Sequence, residues 1–244
     1  MSPVQQVAEK PFSESEYATY IDVLRQVRNT PTSSSSATNN WDKFNLLIPT
    51  ATCPGGKLRR YPPGIDDGGK FICNLDSFPK SCVVYSIGSH GEFDFESMVQ
   101  RHTQCEIHSF DCTGDYGPYA PRGVNFHPWC VDSKDHGSFY TIQTMMDKLS
   151  HRRIHFLKLD AEGAEHRAIP VLLSLPHNRL PLQIALEVHI GRKFPVRTVT
   201  ETIDFLFVFH SMGYRLLSRD DNPLCTRCSE FLFILTTDGQ VDEF

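Results

Sequence analysis

Two stretches of this sequence decide the fold: residues 83–91, VVYSIGSHG, and residues 156–165, FLKLDAEGAE. Each begins with an apolar run that predicts a buried strand and ends in a turn that contains glycine. Between them, residues 105–110 form another strand-like run, which ends on the carboxylate of Asp111. A strand, a glycine turn, a helix and then an acid at the tip of the next strand is the order with which an α/β fold holds a nucleoside. The first stretch therefore predicts a nucleoside site.

Strand-like and helix-like segments alternate through most of the chain. Amphipathic helices are predicted around residues 95–102, 139–149 and 199–212, the last opened by a capping box at Thr198 and Glu201. This alternation predicts a mostly parallel sheet with helices on both faces, and the two final strands, which have no helix between them, predict an antiparallel strand at one edge. Strands are predicted at residues 82–87, 105–110, 123–126, 154–159, 182–188, 214–217 and 230–235.

Composition divides the chain into a flexible N-terminal segment, residues 1–40, and a globular domain, residues 41–244. Residues 30–36, TPTSSSS, have the composition of a flexible linker. Before them, residues 14–28 could form a short helix with one apolar face. A chain of 244 residues that is 40% hydrophobic is large enough for one buried core.

The charge and hydropathy of the chain exclude several classes of protein. A formal net charge of -5 provides no basic footprint, so we expect no nucleic-acid partner. No apolar run approaches the roughly 20 residues of a membrane span, and the N-terminus lacks the layout of a secretory signal. We therefore expect a soluble, cytoplasmic protein, with the reservation that an anchor or signal could lie outside this sequence.

The eight cysteines are scattered and lack the density of a disulfide scaffold. Cys82 and Cys105 lie beside apolar runs and are expected to be reduced core residues. Residues 225–228, CTRC, have the spacing of a metal-ligand pair, but a zinc site needs a second pair, and none is evident. No metal site is therefore assigned.

The helix after the glycine turn opens with Glu92, Asp94 and Glu96. These acids complement the helix dipole but would repel a pyrophosphate, which disfavours a dinucleotide or a nucleoside triphosphate. S-adenosyl-L-methionine has no phosphate and carries a sulfonium, so it suits an acidic surround. Asp111 is placed to accept hydrogen bonds from both ribose hydroxyls. Cofactor contacts are expected at Gly88, Ser89, Gly91, Asp111 and Asp160.

Further acids follow the later strands. Asp160 and Glu162 come at the end of one strand, while Glu187 and His189 share a face of the next because they are two residues apart. Carboxyl ends of parallel strands border the ligand crevice, so these side chains could converge there. They could form a general base with orienting carboxylates, a hard-cation site, or merely helix-start acids and a structural histidine. The predicted catalytic residues are His189, Asp160 and Glu187.

Taken in order, these segments resemble the class I S-adenosylmethionine-dependent methyltransferases, most closely the FkbM-type and methyltransferase-like eukaryotic relatives. The resemblance spans residues 60–234, and it implies a Rossmann-like, seven-stranded sheet whose last strand is antiparallel. It also implies cofactor contacts at Gly88, Gly91 and Asp111, and a small-molecule or sugar hydroxyl as the precedent for the acceptor. The matching stretches are DGGK (67–70), VYSIG (84–88), HSFD (108–111), LKLDAEGAE (157–165), EVH (187–189) and CSEFLFI (228–234).

Two departures from that pattern keep a second hypothesis open. Many methyltransferases carry an acid where this chain has Ser86, and the third glycine of the usual turn is missing. The first hypothesis is a methyltransferase, and the second is a catalytically inactive binding module with the same fold. A nicotinamide oxidoreductase is disfavoured by the acidic helix opening. The loop at residues 66–70 is expected to be either a plain turn or a lid over the site.

Overall fold

We describe the protein from a computed structural model, which defines residues 5–29, 45–64, 68–190, 198–222, 225, 228–237 and 240–241. The α-helices are α1 (Glu14–Asn29), α2 (Asp94–His102), α3 (Ile142–Lys148), α4 (Glu165–Ala168) and α5 (Val199–Ser211). The strands are β1 (Gln5–Val7), β2 (Leu58–Tyr61), β3 (Lys70–Cys73), β4 (Val83–Ile87), β5 (Glu106–Phe110), β6 (Val124–His127), β7 (Cys130–Val131), β8 (Phe139–Tyr140), β9 (Phe156–Leu159), β10 (Gln183–His189), β11 (Tyr214–Asp221), β12 (Cys228–Thr237) and β13 (Gln240–Val241).

Within the described residues, the main sheet has nine strands in the order β1-β11-β12-β10-β9-β4-β5-β6, with β13 paired to β12. Strands β6, β5, β4, β9 and β10 are parallel neighbours. Strand β12 runs antiparallel to both β10 and β11, and β1 runs antiparallel to β11. The predicted mostly parallel sheet with antiparallel strands towards one edge is confirmed. The count exceeds the expected seven because the short strands β1 and β13 are added.

The central strands are buried on both faces. Every residue of β4, β9 and β10 is buried, which is expected for parallel strands that helices cover from two sides. Alternate residues of β4 enter different cores: Tyr85 packs in the cluster that also contains α5 residues, and Val84 packs in the cluster against α2. The predicted capping box of α5 is present, because Thr198 Oγ1 accepts a hydrogen bond from the Glu201 backbone N–H and Glu201 Oε2 accepts one from the Thr198 N–H.

The N-terminal segment is more ordered than its composition predicted. Strand β1 extends the main sheet, and α1 packs a buried face of Tyr17, Ile21 and Leu24 into the main core. Arg215 of β11 anchors this helix, because its guanidinium pairs with Glu14 at 2.8 Å and lies over the Tyr17 ring. The short helix predicted over residues 14–28 is confirmed as α1, and its apolar stripe docks it on the core. The predicted linker, residues 30–36, lies outside the described residues.

All eight cysteines form disulfides, which corrects the expectation of reduced thiols at Cys82 and Cys105. These two residues directly precede the paired strands β4 and β5, so the register places them opposite each other, with 4.5 Å between their Cα atoms. The pairing depends on strand register, which an apolar environment alone does not reveal. The pairs are Cys53–Cys73, Cys82–Cys105, Cys112–Cys130 and Cys225–Cys228.

Among the described residues, no helix combines the length and the apolar character that crossing a bilayer requires.

The Cys82–Cys105 disulfide is expected to stabilise the sheet. Its removal in Cys82→Ser/Cys105→Ser should lower the free energy of unfolding by about 2–4 kcal/mol, because the bond closes a long loop in the unfolded chain. Urea unfolding measures this change. The matched control Cys225→Ser/Cys228→Ser opens a loop of sequence separation 3 and should cost less. Rapid alkylation of Cys82 and Cys105 in the unreduced native protein would contradict the assignment.

Candidate functional site

The glycine turn after β4 is built around Gly88. This residue has φ +84°, and a Cβ added to it would lie 1.7 Å from the carbonyl oxygen of Asp160. Its N–H donates to the Phe110 carbonyl at 2.9 Å, and its own carbonyl accepts a hydrogen bond from Lys158 Nζ at 2.9 Å. Only glycine satisfies both the positive φ and this contact with backbone, so the residue is required by the fold itself.

Asp111 lies at the tip of β5, as predicted, and is buried. Its Oδ2 accepts a hydrogen bond from the His90 backbone N–H at 2.8 Å, and its Oδ1 accepts from both the N–H and the hydroxyl of Thr113, at 2.8 and 2.6 Å. A carboxylate offers about four acceptor positions, so roughly one is left for a ligand. The carboxylate therefore orders the glycine turn in addition to facing the site.

A cleft of about 320 Å³ opens at the carboxyl ends of β4, β5 and β9. Its walls are mainly apolar and aromatic, while Asp111, Glu162 and Arg167 supply charge. This mixture of an apolar lining with a few placed polar groups is typical of a small-molecule site. The cleft is lined by Ile87, Gly88, Phe110, Asp111, Cys112, Thr113, Trp129, Cys130, Val131, Phe139, Ala161, Glu162, Ala164 and Arg167.

The other predicted turn residues lie beside this cleft rather than in its described lining. Ser89 is buried, with its hydroxyl 3.5 Å from the Gly91 backbone nitrogen. Gly91 has φ +82° and faces the Tyr116 ring, which its missing Cβ allows to approach closely. Gly91 also borders a second, open groove of about 650 Å³ at the start of α2, with Glu92 and Asp94 in its wall.

A cluster of buried charges lies next to the glycine turn, centred on Lys70 at the start of β3. The Lys70 ammonium is fully buried and pairs with Asp160 Oδ2 at 3.2 Å and with Glu230 Oε1 of β12. Burial raises the pKa of Asp160, but Lys70, Lys158 and His189 outweigh it and lower that pKa to about 2. Asp160 is therefore an ionised partner of Lys70, and it is a weak base.

His189 and Glu187 belong to the same cluster. His189 Nδ1 lies 3.2 Å from Glu165 Oε1, and its Nε2 lies 3.6 Å from Glu187 Oε2. Burial lowers the pKa of His189, but the facing carboxylates Glu165, Glu187 and Glu162 outweigh it and raise that pKa to about 9. Burial, with Glu230 and Asp160 nearby, raises the pKa of Glu187 to about 8. His189 is consequently protonated at neutral pH.

The structure thus brings Asp160, Glu187 and His189 together, as predicted. Of the described residues, however, those that line the cleft at this point come from the turn in front of them, Ala161, Glu162 and Ala164. Glu162 has φ +49°, a conformation that costs free energy for a residue with a side chain. Its side chain is 79% exposed, with Oε2 3.6 Å from His189 Nε2. Such strain often occurs at functional sites.

Sequence reasoning missed Lys70, Glu230 and Lys158 as site residues. A signal was available, because each is a charged residue within or at the start of an otherwise apolar strand. The predicted lid at residues 66–70 fits only in part: residues 66–67 lie outside the described residues, and Lys70 is a buried strand residue.

Ser86 occupies the position where the family pattern often has an acid. Its side chain is fully buried, and its hydroxyl has no hydrogen-bond partner among the described residues. Because Ser86 alternates along β4 with Ile87, which lines the cleft, it belongs to the opposite face of the sheet.

Comparison with known families identifies the protein family to which the chain belongs. A family model described as "Methyltransferase domain" matches residues 12–235. This match covers most of the sequence, and the chain belongs to that methyltransferase-domain family. No curated protein matches the chain.

The solved structures that are similar to this chain include the following three, all at low sequence identity. The fibrillarin pre-rRNA processing protein of Methanococcus jannaschii has a TM-score of 0.49 at 9% identity, over 68% of this chain and 70% of that one. A putative rRNA-methylase from Clostridium thermocellum has a TM-score of 0.45 at 10% identity, over 66% of this chain and 92% of that one. The 1,6-didemethyltoxoflavin-N1-methyltransferase of Burkholderia thailandensis, with bound S-adenosylhomocysteine, has a TM-score of 0.43 at 13% identity. The similarity covers 97% of this chain and 96% of that one. These scores are too low to carry an argument about the site.

The charge cluster predicts a pH dependence of stability. A histidine whose folded pKa is raised from about 6.5 to about 9 contributes stability that is fully present below about pH 6.5 and lost as pH rises towards 9. The raised pKa of Glu187 acts with the same sign. The free energy of unfolding should therefore fall between pH 6.5 and 9, by an amount on the order of 3 kcal/mol for His189 alone.

Urea unfolding at the two pH values measures this difference. His189→Gln should reduce the pH dependence, because the titrating group is removed. His102→Gln, which alters a half-exposed histidine on α2, is the matched control and should leave it unchanged. An undiminished dependence in His189→Gln would show that the histidine does not stabilise the cluster.

Proposed function

We propose that the protein is an S-adenosyl-L-methionine-dependent methyltransferase whose donor binds in the cleft between the glycine turn and Asp111. The observation that carries this proposal is the position of that cleft. It lies at the carboxyl ends of the central parallel strands, where open α/β sheets bind ligands, in a chain of the methyltransferase-domain family. The narrower resemblance to FkbM-type enzymes supports the same class and stays a prediction.

The residues present suit this cofactor. Trp129, which is only partly buried, offers flat apolar surface for an adenine ring, and the open acceptor position of Asp111 can receive one ribose hydroxyl. The Glu162 carboxylate supplies negative charge compatible with a sulfonium. When bound, S-adenosyl-L-methionine supplies an electrophilic methyl group.

The chain's own contribution would be positioning and proton removal. With the cofactor bound, residues of the cleft would hold the acceptor beside the methyl group, and a carboxylate of the chain would take the acceptor proton as the methyl group is transferred and the demethylated product is left. Asp160, Glu187 and His189 are the catalytic residues that the sequence predicted. The burial of Glu187 and His189 and the lowered pKa of Asp160 favour a positioning role, in which the three residues hold the turn that carries Glu162. Glu162 is the carboxylate exposed at the cleft, and we assign the base to it.

We propose a small-molecule or sugar hydroxyl as the acceptor. The groove next to Gly91 carries Glu92 and Asp94, which would repel a polyanion, and the whole chain has a net charge of -5. Both observations favour a neutral or cationic acceptor over nucleic acid. The alternative, a binding module without turnover, is motivated by Ser86 of β4, which stands where many methyltransferases carry an acid.

We also propose that the chain folds in an oxidising compartment. The expectation of a cytoplasmic location was based on the absence of a membrane span and of a secretory-signal layout at the N-terminus. Four disulfides support a different compartment, because cytosolic thiols are kept reduced. Expression with and without an oxidising folding environment tests this, and equal yields of native protein with free thiols would contradict it.

Calorimetry with S-adenosyl-L-methionine, its demethylated product and NAD tests which cofactor the protein binds. S-adenosyl-L-methionine and its demethylated product should both bind, and NAD should not. Asp111→Ala should weaken donor binding about tenfold or more, since it removes a charged hydrogen-bond acceptor and loosens the turn. Asp115→Ala removes a nearby exposed carboxylate and is the matched control. Equal affinity in Asp111→Ala and wild type would mean that the ribose lies elsewhere.

Turnover separates the enzyme from the binding module. Transfer of a labelled methyl group to a panel of sugars and small hydroxyl compounds should be detectable in the wild type and reduced in Glu162→Gln when both proteins are saturated with donor, because saturation removes any difference in donor affinity. Donor binding with no transfer to any acceptor would favour the module. If neither S-adenosyl-L-methionine nor its demethylated product binds, the proposed function is wrong.

A further inference from the structure

A second group of potential ligands lies at the opposite end of β5 from the cleft. Glu106, His108 and His151 each offer one ligand atom, and these atoms all lie within 4.8 Å of one another. Glu106 begins β5, whereas Phe110 of the cleft wall ends it, so the two are roughly 13 Å apart along the strand. The proposed methyl-transfer site therefore does not account for this group.

The donor atoms have the spacing of a metal site. His108 Nε2 lies 2.9 Å from Glu106 Oε1, and His151 Nε2 lies 3.4 Å from Glu106 Oε2. Zinc bonds of about 2.0–2.2 Å in a tetrahedron place neighbouring donors roughly 3.3 Å apart. Both ring nitrogens therefore face the two carboxylate oxygens at distances that a single ion could bridge.

The outer nitrogens of the two rings are also supported. His108 Nδ1 lies 2.9 Å from His127 Nε2, and His151 Nδ1 lies 2.7 Å from the Tyr85 hydroxyl oxygen. Each of these partners can accept a hydrogen, which would leave the Nε2 lone pair of both rings free for a metal. Metal-binding histidines usually have such a partner on the other nitrogen, because it fixes the ring orientation.

The setting suits a rigid site with an open side. His108 and Tyr85 are buried within the sheet, and their rings pack at 5.6 Å. His151 follows α3 and precedes β9, so an ion here would join the α3–β9 connection to β5. The Glu106 side chain is 53% exposed, which leaves a path for an ion and room for a solvent ligand.

We propose that Glu106, His108 and His151 bind a divalent transition-metal ion of the zinc type. Two imidazoles and one carboxylate suit such an ion, whereas Mg²⁺ and Ca²⁺ prefer oxygen ligands alone. The ion stabilises the fold at the amino end of β5, away from the cleft. The site is independent of the methyltransferase proposal and is tested without it.

Zinc titration of the chelator-treated full chain tests the proposal. The wild type should bind one Zn²⁺ per chain by calorimetry, and Zn²⁺ should raise its melting temperature, while Mg²⁺ should do neither. Glu106→Gln and His151→Ala should each weaken zinc binding about tenfold or more. Glu106→Gln is the safer variant for folding, since its side chain is largely exposed and its shape is kept.

His102→Ala is the matched control. It removes a histidine that pairs with Asp76 at 3.1 Å outside the proposed triad, so zinc binding should not change. Absence of zinc binding in the wild type would show that the cluster is only a hydrogen-bond network. Binding that both triad variants retain, or that His102→Ala abolishes, would place the ion elsewhere and overturn the proposal.

Discussion

The close approach of Gly88 to the Asp160 carbonyl is the contact on which the site depends. It allows the turn after β4 and the turn after β9 to lie against each other, with no space for a side chain between them. Beside this contact, the Asp160 carboxylate accepts a hydrogen bond from Lys70, and the Gly88 carbonyl accepts one from Lys158. Two turns that are distant in sequence thereby form one wall of the cleft, with a backbone contact at its centre.

The buried charges around Lys70 help to position the same wall of the cleft. An ion pair is costly to bury, and its net contribution to stability is often small, but removing one partner leaves an unpaired charge in the core. Lys70 ties β3, β9 and β12 together through Asp160 and Glu230. His189 and Glu165 then hold the 160–165 turn to β10, with the Glu165 carboxylate also accepting the Gly163 N–H at 2.8 Å. We infer that this network positions the turn, while the exposed Glu162 faces the ligand.

The sequence predicted those features that periodicity and local turn chemistry determine. The alternation of strands and helices, the glycine turn, the position of Asp111 and the α5 capping box are all present. Features that depend on register or long-range contact were not predictable: the Cys82–Cys105 pair arises from strands that meet only in the folded sheet. Likewise, no local pattern shows that His189 is enclosed by carboxylates, so its raised pKa emerges only from the packing.

Amide hydrogen exchange with and without S-adenosylhomocysteine tests the central claim most directly, because it locates the ligand without requiring an acceptor. We expect added protection in the segments around residues 88–91, 111–113, 129–131 and 160–164, which surround the cleft. Protection restricted to other segments, or none at saturating ligand, would contradict the assignment of this cleft as the methyl-donor site.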